Sequence, residues 1–230
     1  MKIRYIFALT ASLVIIATTS SIIYSRSNNV WVPKEKIKQG FNEIKKSLDE
    51  TQDSKTMSKS AFGKDIEISK KQFILYKKNY ELTNELTSNQ QGVASQSKLS
   101  DTDLIDNLVK EELAVNYAKK LGITVSEEEI SKEVSRNQEA IENPDTDKGN
   151  ELVKELMKNR IRITGLTKEQ FWKSKETRYE YEKAIFLGKL GTKLVEEKKI
   201  NDLSELNAFE DSILAEYKKQ NTINYDAFIK

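Results

Sequence analysis

The chain has 230 residues, and its 38 Lys and Arg stand against 36 Asp and Glu for a net charge of +2, which gives no clustered basic face for nucleic acid. It contains no cysteine and no histidine, excluding disulfides, thiolate metal sites, cysteine nucleophiles and proton transfer on imidazole. With 37% hydrophobic residues, 8 glycines and 2 prolines, the composition fits one domain of long helices joined by short turns, and no cofactor or metal is expected.

In chain order, Met1-Lys2-Ile3-Arg4 is a short basic head, and the run from Tyr5 to Tyr24 is uncharged over about 20 residues, the length of a spanning helix. Residues 1–26 are therefore expected to form a signal-anchor, a single-pass transmembrane helix with the remainder of the chain outside the cytoplasm. Small residues from Ala17 to Ser21 also suit cleavage, which would leave a secreted protein. Residues 27–60 are expected to hold a juxtamembrane amphipathic helix and a linker. Ile37, Phe41, Ile44 and Leu48 fall at helical spacing amid lysines, either on anionic lipid or on a solvated spacer, and Thr51 to Ser60 is polar.

Beyond the linker, a short extended piece from Ala61 to Ile68 precedes predicted helices at 70–86, 101–121, 127–142, 151–163, 168–198 and 203–219, with an extended tail near Ile223 to Phe228. Several helix starts are written in the same grammar. Ser69 with Gln72, Ser126 with Glu129 and Thr167 with Gln170 are capping boxes, and Ser100 with Asp103 is a variant in which Asp replaces Glu. Val125 and Ile130 occupy staple positions around the third helix start, and Gly122 stands where a helix closes in the left-handed conformation. The longest predicted helix, 168–198, carries Trp172, Tyr179 and Phe186 seven apart and is expected to be the spine of the domain.

The order of these parts resembles the N-terminal substrate-binding module of SurA-type and PrsA-type exported chaperones. The residues that carry the resemblance are Ala61-Phe62-Gly63, Ile68-Ser69 with Phe73, Leu104-Ile105 through Leu113, Ala118 to Ile130, and Gly165 to Phe171, with Phe209 to Tyr217 and Ile223-Asn224-Tyr225 as the returning helix and strand. The resemblance implies a mainly α, SurA-N-like domain over residues 61–230, closed by a small two-stranded β element that pairs its start with its end. It departs from those chaperones where a parvulin-type isomerase domain would sit, because Glu196 to Asp202 is only a connector. Parvulin-type sites also use histidines, so isomerase activity is not carried over.

Candidate sites are few. Asp145 to Glu151 alternates acids as a calcium loop does, but Leu156 stands where the bidentate Glu belongs, so the stretch reads as a solvated loop. Glu127, Glu128 and Glu129 sit where a helix amino terminus favours negative charge, which accounts for them without acid–base chemistry. Met157, Phe171, Trp172 and Tyr179 are the candidate substrate-binding residues, lining an apolar groove for unfolded polypeptide, with ordinary core packing as the alternative. The expected function is a membrane-anchored, extracytoplasmic holdase that binds non-native exported polypeptides without catalysis. The alternatives are an envelope adaptor for one dedicated protein partner and, as a minor reading, a peptidyl-prolyl isomerase-like enzyme.

Overall fold

The computed structural model describes residues 33–51, 62, 66–88, 98–142 and 151–229. Its helices are α1 (Lys34–Glu50), α2 (Lys70–Ser88), α3 (Asp101–Lys120), α4 (Glu127–Glu142), α5 (Glu151–Thr164), α6 (Lys168–Lys173), α7 (Lys175–Glu196), α8 (Leu206–Gln220) and α9 (Asp226–Ile229), with a 3-10 turn at Leu203–Glu205.

The local grammar is realised at each capping box. Gln72 N–H donates to Ser69 Oγ (3.0 Å) and Ser69 N–H to Gln72 Oε1 (2.7 Å), and the same reciprocal pairs join Ser100 to Asp103, Ser126 to Glu129 and Thr167 to Gln170. Gly122 and Gly165 close α3 and α5 at φ +76 and +73. Open space surrounds both positions, so only the backbone conformation calls for glycine there.

Three apolar clusters hold the helices together. The first gathers Ile37, Phe41 and Ile44 of α1 with Leu82 and Leu86 of α2, Ile130 and Val134 of α4, Leu152, Leu156 and Met157 of α5, and Phe171, Trp172 and Tyr181. The second joins Phe73 and Tyr76 of α2 to Leu104, Ile105, Leu108 and Val109 of α3, and to Leu214, Ile223 and Phe228 from the end of the chain. In the third, Ala114, Val115 and Ala118 of α3 meet Phe186, Leu187, Leu190 and Leu194 of α7. Both ends of α3 are thus buried against different partners, while α2 serves the first two clusters from two faces.

The mainly α expectation is met, with two corrections. No strand occurs among the described residues, so the expected two-stranded β element is absent there. The tail turns at Tyr225 into the helical turn α9, which removes it as a strand, and side chains make the closure instead. Phe62 and Phe228 meet with tilted rings at 4.7 Å between centroids, Phe73 meets Phe228 edge-on at 6.3 Å, and the Tyr217 hydroxyl donates to the Phe62 carbonyl. The second correction concerns the transmembrane helix. None of the described helices is long and apolar enough to cross a membrane, and residues 5–24, where the spanning segment was expected, lie outside the described residues. Even α7, with 22 residues, carries charge on nearly every turn.

Two further differences are local. The predicted helix 168–198 is broken at Ser174, whose backbone is extended (φ −65, ψ 148) and whose hydroxyl caps α7 by accepting from Thr177 N–H at 3.2 Å. Helix α1, expected on lipid or in solvent, is set into the body instead: Ile37, Phe41 and Ile44 are 0–1% exposed, and α1 lies against α2 and α5. Of the predicted linker 51–60, residues 52–60 lie outside the described residues, as do residues 145–150 of the alternating acidic stretch 145–151, whose last member, Glu151, begins α5.

Candidate functional site

Met157 reaches the first cluster from α5, where Leu152, Leu156 and Met157 fall on the inward stripe of a helix whose outer face is charged. Phe171 and Trp172 reach it from α6, a short helix fixed in place by the Thr167 box before it and the Ser174 break after it. All three side chains are buried, the rings of Phe171 and Trp172 meet edge-on at 5.4 Å, and Tyr181 lies 6.4 Å beyond Trp172. The Arg160 guanidinium stands 5.9 Å over the Phe171 ring, a cation–π arrangement inside the protein. Trp172 keeps its polar edge satisfied by donating from Nε1 to Glu142 Oε1 at 3.2 Å.

Three of the four candidate residues therefore come together, in the same buried seam that α1 covers. Tyr179 does not join them. It is half-buried on α7, and its hydroxyl donates to Glu112 Oε2 at 3.3 Å.

Tyr179 belongs to a charged network that periodicity did not single out. Lys183, buried on α7, places Nζ 3.0 Å from Glu111, 3.3 Å from Glu112 and 3.7 Å from Glu180, and 5.2 Å from the Tyr179 ring centroid. Burial alone would lower the Lys183 pKa, but Glu111, Glu180 and Glu112 together outweigh it and raise it. Burial pushes the Glu111 carboxyl up against the pull of Lys183, and it raises the Tyr179 hydroxyl with the Glu112 charge adding to the effect. Nearby on α8, burial pushes Glu210 up to about 7, opposed by Lys110 and reinforced by Glu111 and Asp211. The signal for this network was present in the sequence: Leu104, Leu108 and Val115 are inward positions of α3, and Glu111 falls on the same stripe. The network ties α3 to α7 and fixes their register. Among the described residues no group of acids is arranged to hold a metal ion.

Residues 63–185 match the SurA-like N-terminal domain family, which takes in α2 to α6 and the first half of α7. The chain belongs to that family. No curated protein and no solved structure matches it. A SurA-like N-terminal domain is a chaperone-type, non-catalytic module. Helix α1, the end of α7, α8 and α9 lie outside the matched stretch, so the SurA-like domain here carries a helix on its apolar seam and a closing segment on its second cluster.

Proposed function

We propose that this chain is a holdase, binding non-native exported polypeptides outside the cytoplasm without catalysing their isomerisation. The observation that carries the reading is the match of residues 63–185 to a chaperone-type substrate-binding domain. The export reading is supported by the basic head and the uncharged run that follows it. A holdase needs apolar surface that accepts many sequences. The first cluster supplies the side chains for it, with Met157 as the adaptable member and Phe171 and Trp172 as broad aromatic faces. On this reading these three residues form the floor of the client site, and Tyr179 orders the helices behind it.

The test is suppression of aggregation for several unrelated denatured proteins by the full-length chain, run beside a proline-peptide isomerisation assay. Suppression of several clients near one-to-one stoichiometry, with no isomerisation above background, is the expected pair of results. A chain that protects none of them, or that accelerates isomerisation, is not the holdase described.

A further inference from the structure

The first cluster is closed. The large hydrophobic side chains most open to solvent among the described residues are Leu166, Leu203 and Ile229, which belong to separate elements and are no surface for a client. What closes the cluster along α2 and α5 is α1, and α1 is built as a ligand. Ile37, Phe41 and Ile44, spaced i, i+4 and i+7, are its buried side chains, while its remaining positions are largely charged or polar. Gly40 lies on the same face, and a Cβ added there would stand 2.6 Å from Leu82 Cδ1, so the α1 backbone rests directly on that leucine. The polar fastenings sit at the rim: Lys36 with Glu85 at 2.9 Å, and the Arg162 guanidinium donating to the Lys38 carbonyl at 3.3 Å. Helix α1 also precedes the stretch that matches the family, so the matched domain presents a groove to it from outside.

We infer that the seam between α2 and α5 is a helix-binding groove that α1 occupies as an internal ligand, and that its clients are amphipathic segments of non-native chains carrying the same pattern: apolar residues at i, i+4 and i+7 with a small residue at i+3. The inference rests on the holdase reading and gives it a substrate class. A client enters by displacing α1, so it meets the side chains that share the first cluster with α1: Leu82 and Leu86 of α2 and Leu152, Leu156 and Met157 of α5, with Phe171 and Trp172 beside them. The close approach at Leu82 sets specificity, because a bulky side chain at the Gly40 position pushes the incoming helix off the groove.

The probe is a fluorescent synthetic peptide of residues 33–51, titrated against the full-length chain. The chain has no cysteine, so Lys36→Cys with Glu85→Cys gives a unique thiol pair that a short bis-thiol reagent bridges, locking α1 in place. The peptide is expected to bind the open chain and to bind the bridged chain at least tenfold more weakly. Gly40→Leu in the peptide is expected to weaken binding at least tenfold despite its better helix propensity, whereas Gly40→Leu in the chain loosens its own α1 and tightens binding of the native peptide. Equal binding by open and bridged chains, no binding by either, or a bridge that forms only between two copies overturns the inference. Aggregation assays separate it from the function reading. If open and bridged chains protect clients equally, the holdase stands and the groove falls; if bridging abolishes peptide binding while the open chain protects no client, the groove stands and the holdase falls.

Discussion

Lys183 sets a single ammonium against three carboxylates, those of Glu111, Glu112 and Glu180, in a seam that water hardly reaches. Removing one member of a buried charge cluster leaves the others uncompensated, which costs about 3–5 kcal/mol in well-buried cases. Because Glu111 is already raised and can take up a proton, Lys183→Met is expected near the lower end, ~3 kcal/mol by urea denaturation, and Lys183→Met with Glu111→Gln should recover part of the loss. A single-variant loss below ~1 kcal/mol would show that the network adds little. Glu210 provides a pH test. Its folded-state pKa of about 7 lies above the ordinary 4.5, so between those values the folded chain holds a proton that the unfolded chain releases. The stabilisation is complete below about 4.5 and is lost as pH rises through about 7. Allowing for partial exposure, it amounts to on the order of 2 kcal/mol. Thermal melts of Glu210→Gln should show a flatter decline across this window than the native chain, and an identical slope would place the titration elsewhere. Glu111, raised in the same direction, leaves a residual slope in the variant.

At the level of the element, the helix starts and stops are set within a few residues. Gly122 sits at φ +76 with nothing near its missing Cβ, so Gly122→Ala meets no clash and its cost is conformational, about 1 kcal/mol, readable as a drop in the urea midpoint. A variant as stable as the native chain would mean that the turn relaxes freely. The capping boxes were legible in the sequence for the same reason: Ser69, Ser100, Ser126 and Thr167 each find their partner three residues on. The break at Ser174 was harder to see. Its cap is equally local, but it lies inside an amphipathic run that reads as one helix, and the aromatic spacing across it suggested a continuous spine. The tail was misread as a strand because Ile223-Asn224-Tyr225 alternates like one, whereas Asn224 and Tyr225 begin a helical turn, with Asn224 Oδ1 accepting from Ala227 N–H at 3.3 Å. The partners of Lys183 and the seat of α1 depend on helix pairings far apart in sequence. Lys183 and Glu112 are 71 residues apart, and no local pattern names such a partner. Met157, Phe171 and Trp172 were recognisable as apolar and aromatic positions at helical spacing; that they share one buried seam with α1 was not.

For the whole molecule, the SurA-like domain is fastened at two places by segments that lie outside its matched stretch. The end of the chain closes the second cluster, where Phe228 is 2% exposed between Phe62 and Phe73. Truncating a buried aromatic costs about 3–5 kcal/mol, so Phe228→Ala should lower global stability by about that amount in urea denaturation. A loss below ~1 kcal/mol would mean that the tail is an appendage. Helix α1 closes the first cluster, and it differs in being a single helix with an apolar face and a few polar contacts at its rim. A displaceable occupant must open at a lower free energy than the helices behind it, so α1 is expected to exchange its amides before α3 and α7 do. Non-native polypeptide is expected to bind where α1 lies, and hydrogen exchange of the full-length chain, with and without a permanently unfolded client, reads this out. The client should strip protection from the amides of α1 while α3 and α7 stay as they were. Protection of α1 that is unchanged by a bound client would contradict that expectation.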